Sequence, residues 1–73
     1  MRIKIAASRW AKNYNLPEAL ELESGAVIAD ALDLLDVPAG EIGLTSVNGA
    51  AKKRGAELDD GDELELFPVL IDG

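Results

Sequence analysis

Three short stretches of alternating apolar and charged residues constrain the fold of this 73-residue chain more than any other feature. They are RIKIA at residues 2–6, ALELE at 19–23 and DELELF at 62–67. Successive side chains of a strand point to opposite faces, so a period of two is typical of strands with one buried and one solvated face. The sequence therefore predicts three strands at these positions.

The charges on the solvated faces predict how these strands lie together. Arg2 and Lys4 alternate along the first strand, whereas the second and last strands carry glutamates. Opposite charges on directly facing strands stabilise a sheet by roughly 0.2 to 1 kcal/mol per pair, and like charges destabilise it. We therefore predict that the basic first strand lies between the two acidic strands, so that the N- and C-terminal strands are neighbours at the centre of the sheet.

One amphipathic helix is predicted between the second and last strands. Ser24 is the expected N-cap, and Pro38 is expected to end the segment. The apolar positions recur at helical spacing and are expected to cover one face of the sheet: they are Val27, Ile28, Ala31, Leu32 and Leu35.

The remaining segments complete a β-grasp pattern. A strand at 44–47 runs into the tight-turn dipeptide Asn48-Gly49, a short strand returns over 50–55, and a turn at Asp60-Gly61 precedes the last strand. A short helix or helical turn is predicted over 8–13, and an irregular loop is the alternative. We therefore predict an α+β, ubiquitin-like β-grasp with a mixed sheet of four to five strands and one main helix packed on one face. Residues 1–73 are expected to form one domain, with 68–73 a flexible C-terminal tail.

Composition disfavours several classes of function. The chain has 14 acidic residues against 7 basic ones, a net charge of −7, which disfavours binding to nucleic acid. It has no cysteine and no histidine, so disulfides are excluded, and neither a metal site nor imidazole-based catalysis is expected. No apolar run has the ~20 residues of a membrane span, and the N-terminus does not resemble a signal peptide. We expect a cytoplasmic protein with no membrane partner.

Two charged clusters have simpler interpretations than ligand sites. Lys52, Lys53 and Arg54 form the densest basic run, which is predicted to be a solvated hairpin face; contact with an acidic partner or a nucleotide phosphate is the alternative. The acidic run over 59–63 does not have the spacing of a calcium loop. Turn formation at Asp60-Gly61 accounts for it.

Motifs in the last third of the chain carry a family resemblance. VNG at 47–49, LDDGDELELFPV at 58–69 and the C-terminal glycine resemble the MoaD/ThiS family of ubiquitin-like sulfur carriers. The segment that follows the first strand is more similar to the molybdopterin synthase small-subunit branch than to the thiamine-pathway carriers.

The resemblance implies a carrier that is a substrate rather than an enzyme. An E1-like adenylating enzyme would use ATP to activate the carboxylate of Gly73, and sulfur would replace AMP to give a thiocarboxylate for molybdopterin-type cofactor biosynthesis. A synthase large subunit is the second partner implied, and the chain itself would bind no cofactor. The arm that delivers Gly73 and contacts the partner would consist of Phe67, Pro68, Val69, Leu70, Ile71 and Asp72.

The C-terminus departs from the family pattern, because Asp72-Gly73 stands where the family has Gly-Gly. The carboxylate of Asp72 would repel the α-phosphate of ATP by about 1 to 4 kcal/mol at a few ångströms, depending on the local dielectric. Two explanations stay open. The natural protein ends in Asp-Gly-Gly, or the chain is a non-catalytic ubiquitin-like interaction module that docks through residues 67–71.

Overall fold

The computed structural model describes residues 1–7, 14 and 16–69. In that part of the chain, a five-stranded mixed sheet carries one α-helix on one face, which confirms the predicted α+β class. The predicted helix over 8–13 lies outside the described residues. In chain order the elements are β1 (Arg2–Ala7), β2 (Ala19–Glu21), α1 (Ile28–Leu35), a 3-10 turn (Ala39–Glu41), β3 (Ile42–Val47), β4 (Ala50–Lys52) and β5 (Glu63–Pro68).

The strand order confirms the prediction from charge. The sheet runs β2-β1-β5-β3-β4, and β1 is antiparallel to β2 and parallel to β5. Arg2 faces Glu21 across the first pair, and Lys4 faces Glu63 across the second. The basic strand therefore lies between the two acidic strands, where each of its cations is opposite a carboxylate.

The core lies between α1 and one face of the sheet. Ile3 of β1 and both Leu64 and Leu66 of β5 have no exposed surface, so the two central strands anchor the core. The helix contributes Ile28 and Ala31 to the same cluster, as its spacing predicted. The other buried apolar residues of the described chain are Leu32, Leu35, Val37, Ile42, Val47 and Leu58.

The helix begins later than predicted, because its N-cap is Val27 and not Ser24. Ser24 and Gly25 form a turn in which Gly25 has a φ of 91°, a conformation that a helix cannot include. Residues 26–28 are instead tied to the 56–58 segment, since the N–H of Leu58 donates to the carbonyl of Ala26 at 2.9 Å. This pairing keeps the chain extended until Val27.

The helix also ends before Pro38. Asp36 adopts a left-handed conformation with φ 56°, and its N–H donates to the carbonyl of Asp33 at 3.3 Å. The proline therefore follows a helix that has already been capped. No helix in the described part of the chain is long and apolar enough to cross a membrane.

The two predicted turns are confirmed. Asn48 and Gly49 have φ values of 53° and 88°, the pair of positive angles that a tight hairpin turn between β3 and β4 requires. Gly61 has a φ of 88° in the turn before β5. Both turns therefore use residues that tolerate positive φ where the backbone demands it.

Candidate functional site

The candidate site is the point where β5 ends, because the predicted partner-binding segment begins there. β5 lies between β1 and β3 at the centre of the sheet, and its buried residues Leu64 and Leu66 hold it in the core. Pro68, the expected first residue of the tail, is still the last residue of β5 and pairs with Ile42. The strand therefore extends one residue further than the sequence indicated.

A β-bulge in β3 shapes this exit. Leu44 pairs with Phe67 and Ile42 pairs with Pro68, which leaves Gly43 as an extra residue between two consecutive pairs. A Cβ atom on Gly43 would lie 2.7 Å from the carbonyl oxygen of Pro68 and 2.9 Å from the Cα of Val69. Only glycine allows the two backbones to approach this closely.

The backbone is held in place up to Val69. The N–H of Val69 donates to the carbonyl of Glu41, in the 3-10 turn just before β3, at 3.2 Å. This bond and the contact at Gly43 direct the chain as it leaves the sheet. Sequence reasoning missed Gly43, and the signal that was available is a glycine inside the strand-like run that ends in LTSV.

An apolar surface lies at the same place, and we call it the tail-base patch: Leu44, Phe67 and Val69. Leu44 is 48% exposed and Val69 is 41% exposed. Phe67 is half-buried and lies on the face of β5 that also carries Glu63 and Glu65, as the alternation predicted. Because directly paired residues share a face of the sheet, Leu44 lies beside Phe67. Sequence reasoning placed Leu44 in a strand and did not identify it as part of the site.

The other predicted site residues are Leu70, Ile71, Asp72 and Gly73, and they lie outside the described part of the chain. The roles assigned to them, and the partner-binding role of Phe67, Pro68 and Val69, stay predictions. The structure brings together the described members of the predicted segment and adds Gly43 and Leu44 to them.

A groove borders the tail-base patch on the other side of β3, and we call it the basic groove. It has a volume of about 410 Å³ and is lined by Gly43, Leu44, Thr45, Lys52, Lys53 and Arg54. The three basic residues are exposed, as predicted. The guanidinium of Arg54 donates through Nη2 to the carbonyl of Ile42 at 2.8 Å, so the loop after β4 is fastened to the start of β3.

The acidic turn before β5 has a structural role. The carboxylate of Asp62 accepts a hydrogen bond from the N–H of Asp59 at 2.8 Å and another from the side-chain amide of Asn48 at 2.9 Å. Asp60 accepts from the N–H of Arg2 at 2.7 Å. Within the described residues, no group of three or more carboxylates is placed to hold a metal ion.

Comparison with solved structures identifies the fold. The chain is similar to the crystal structure of SAMP1 from Haloferax volcanii, with a TM-score of 0.79 and 22% sequence identity over 100% of both chains. The fold is a ubiquitin-like β-grasp. No family model and no curated protein matched the sequence. At this level of identity the similarity extends to the fold alone.

Proposed function

We propose that this ubiquitin-like protein is a sulfur carrier whose C-terminal glycine is activated by an E1-like adenylating enzyme. The carboxylate of Gly73, or of a further glycine in the mature chain, attacks the α-phosphorus of ATP and pyrophosphate leaves. A sulfide-level nucleophile then attacks the acyl carbon of the adenylate, and AMP leaves. The resulting thiocarboxylate supplies sulfur for cofactor biosynthesis of the molybdopterin type, with a synthase large subunit as the second partner.

The observation that carries this proposal is the fixed exit of the chain from β5. A carrier must present its terminus to a partner's active site from a defined origin, because positioning contributes much of the rate of a bimolecular reaction. The bulge at Gly43 and the Val69–Glu41 hydrogen bond of 3.2 Å supply such an origin. Residues 70–73 would add at most about 14 Å of reach when fully extended.

The tail-base patch supports docking beside the arm. Its two most exposed side chains, Leu44 and Val69, flank the half-buried Phe67. A few well-packed side chains near the centre of a protein interface supply most of its affinity, and aromatic residues such as Phe67 are enriched there. A partner that covers this patch would hold the chain while its terminus reacts.

A non-catalytic interaction module is the second candidate function, and Asp72 is the observation that favours it. A carboxylate next to the terminal glycine opposes the approach of ATP, whereas docking through the tail-base patch does not require a free terminus. Both candidates therefore use the patch, and they differ in whether the terminal carboxylate reacts.

The first experiment is mass spectrometry of the C-terminal fragments of the protein from its native cells. We expect one terminal oxygen to be replaced by sulfur and the product to react with a thiol alkylator. The same product should form in vitro with the native adenylating enzyme, ATP and a sulfur donor. A terminus that stays unmodified in both settings would contradict the carrier function and leave the interaction module.

Two variants separate docking from chemistry. Leu44→Glu should weaken binding to the adenylating enzyme by about tenfold or more, because it places a charge in the apolar patch. Leu34→Glu is the matched control, since Leu34 is 61% exposed on α1. Adding one residue after the terminal glycine should abolish thiocarboxylate formation and leave binding intact. Equal binding by both glutamate variants would show that the patch is not the docking surface.

A further inference from the structure

The basic groove lies beside the exit of the arm, and the proposed carrier chemistry does not use its three basic side chains. The described residues include five cationic side chains, and three of them, Lys52, Lys53 and Arg54, line this groove; the others are Arg2 and Lys4 on β1. The chain as a whole has a net charge of −7. The basic groove therefore carries positive charge on a chain whose net charge is negative.

The two lysines are not neutralised within the described chain. Among residues 1–7, 14 and 16–69, neither the ammonium group of Lys52 nor that of Lys53 has an ion-pair partner. This is so although the sequence has 14 acidic residues against 7 basic ones. The charges of both lysines can therefore be matched by carboxylates of another molecule.

The groove also has an apolar wall and a fixed shape. Leu44 is 48% exposed on one side of it, and Gly43 adds no side chain that would block it. The Arg54–Ile42 hydrogen bond of 2.8 Å holds the loop after β4 against β3, and Lys52 and Lys53 line the same groove as Leu44. A ligand in this groove would meet an exposed apolar side chain and two lysines, and it would require little ordering of the backbone.

We propose that the basic groove binds an acidic, partly apolar peptide segment of the partner protein. Carboxylates of that segment pair with Lys52 and Lys53, and a neighbouring apolar side chain contacts Leu44. Nucleic acid is disfavoured, because the net charge of −7 repels a phosphate backbone at long range. That the partner is the adenylating enzyme rests on the proposed function. The preference of the groove for an acidic peptide does not depend on that function.

The location of the groove makes such a segment useful to the partner. Gly43 belongs both to the wall of the groove and to the bulge that contacts Pro68 and Val69. A segment bound there would lie directly beside the exit of the arm. Charge pairing at the rim of an interface mainly raises the association rate and sets the orientation of the partner. The groove would therefore orient the carrier so that its arm enters the active site.

The test is an NMR titration of the isotope-labelled full chain with an end-blocked peptide that alternates leucine with aspartate and glutamate. We expect amide shifts at Gly43, Leu44, Lys52 and Lys53.

The Lys52→Gln/Lys53→Gln variant should bind the peptide roughly threefold to tenfold more weakly, since two exposed ion pairs are lost. The Arg2→Gln/Lys4→Gln variant makes the same change in net charge and should bind like the wild type. Raising the salt concentration to about 0.5 M should abolish the difference.

Two further ligands complete the test. The same peptide with asparagine and glutamine in place of its acids should produce no shifts at the groove, and neither should an oligothymidine of equal charge. The proposal is overturned if the peptide shifts map elsewhere, if the two glutamine variants bind equally, or if the oligothymidine binds the groove more tightly. Because the titration contains no adenylating enzyme, its result is independent of whether a thiocarboxylate forms.

Discussion

At the scale of single residues, Gly43 controls the geometry of the site. A side chain there would meet backbone atoms of Pro68 and Val69, which cannot rotate away as the end of a flexible side chain could. A bulge bends the strand that carries it, here β3, and Gly43 in this bulge lies against the backbone at the end of β5. The direction in which the arm leaves the sheet therefore depends on one missing methyl group.

We predict that Gly43→Ala destabilises the protein by about 1 to 3 kcal/mol, because the added Cβ overlaps the carbonyl of Pro68. Urea unfolding measures the loss. Gly40→Ala is the control, since a Cβ at Gly40 meets nothing within 4 Å, and it should change the stability by less than about 0.5 kcal/mol. Amide exchange at Val69 should become faster in the Gly43 variant alone. Equal stability of the two variants would show that the bulge accommodates a side chain.

At the scale of elements, two turns that are distant in sequence act as one unit. The side chain of Asn48, in the β3–β4 hairpin, donates to Asp62 at 2.9 Å and accepts from the N–H of Glu63 at 2.9 Å. The N–H of Asn48 also donates to the carbonyl of Glu63 at 2.9 Å. The hairpin is thereby fastened to the start of β5, the strand that carries the candidate site at its other end.

Asp62→Ala should therefore lower the free energy of unfolding by about 1 to 2 kcal/mol, because the Asp59 amide and the Asn48 side chain each lose an acceptor. Asp33→Ala is the control, because it removes one negative charge from the exposed side of α1. It measures how much the stability changes when repulsion among the acidic residues is reduced. Chemical denaturation of both variants measures the difference. If Asp62→Ala is as stable as Asp33→Ala, the link between the turns contributes nothing measurable.

At the scale of the whole molecule, charge and burial both favour a sheet in which β5 is central and β1 is its neighbour. Leu64 and Leu66 are fully buried in the central strand β5, and Glu63 on the other face of β5 lies opposite Lys4 of β1. Because a domain of this size supplies only about 3 to 5 kcal/mol of net stability, even pairs worth a few tenths of a kcal/mol matter to it.

Lys4→Glu should destabilise the protein by about 0.5 to 1.5 kcal/mol, because it places a carboxylate opposite Glu63 on the parallel neighbour. The loss should shrink when the salt concentration is raised to about 0.5 M, where exposed charges are screened. Lys53→Glu makes the same change in net charge outside the sheet pairs and should cost less. A loss that is equal for the two variants would mean that net repulsion matters and cross-strand pairing does not.

The sequence by itself determined the strands and the helix, the order of three of the five strands and most of the core. Alternation, helical spacing and opposite strand charges are local properties, and the confirmed neighbours β2-β1-β5 follow from them. The tertiary structure alone decided the start of α1 at Val27, the bulge at Gly43 and the contact of Leu44 with the site. Each of these depends on the register between segments far apart in the chain: 26–28 with 56–58, and β3 with β5. The register between two segments is set by how the sheet and the helix pack together in the folded chain. A short stretch of sequence does not contain that information.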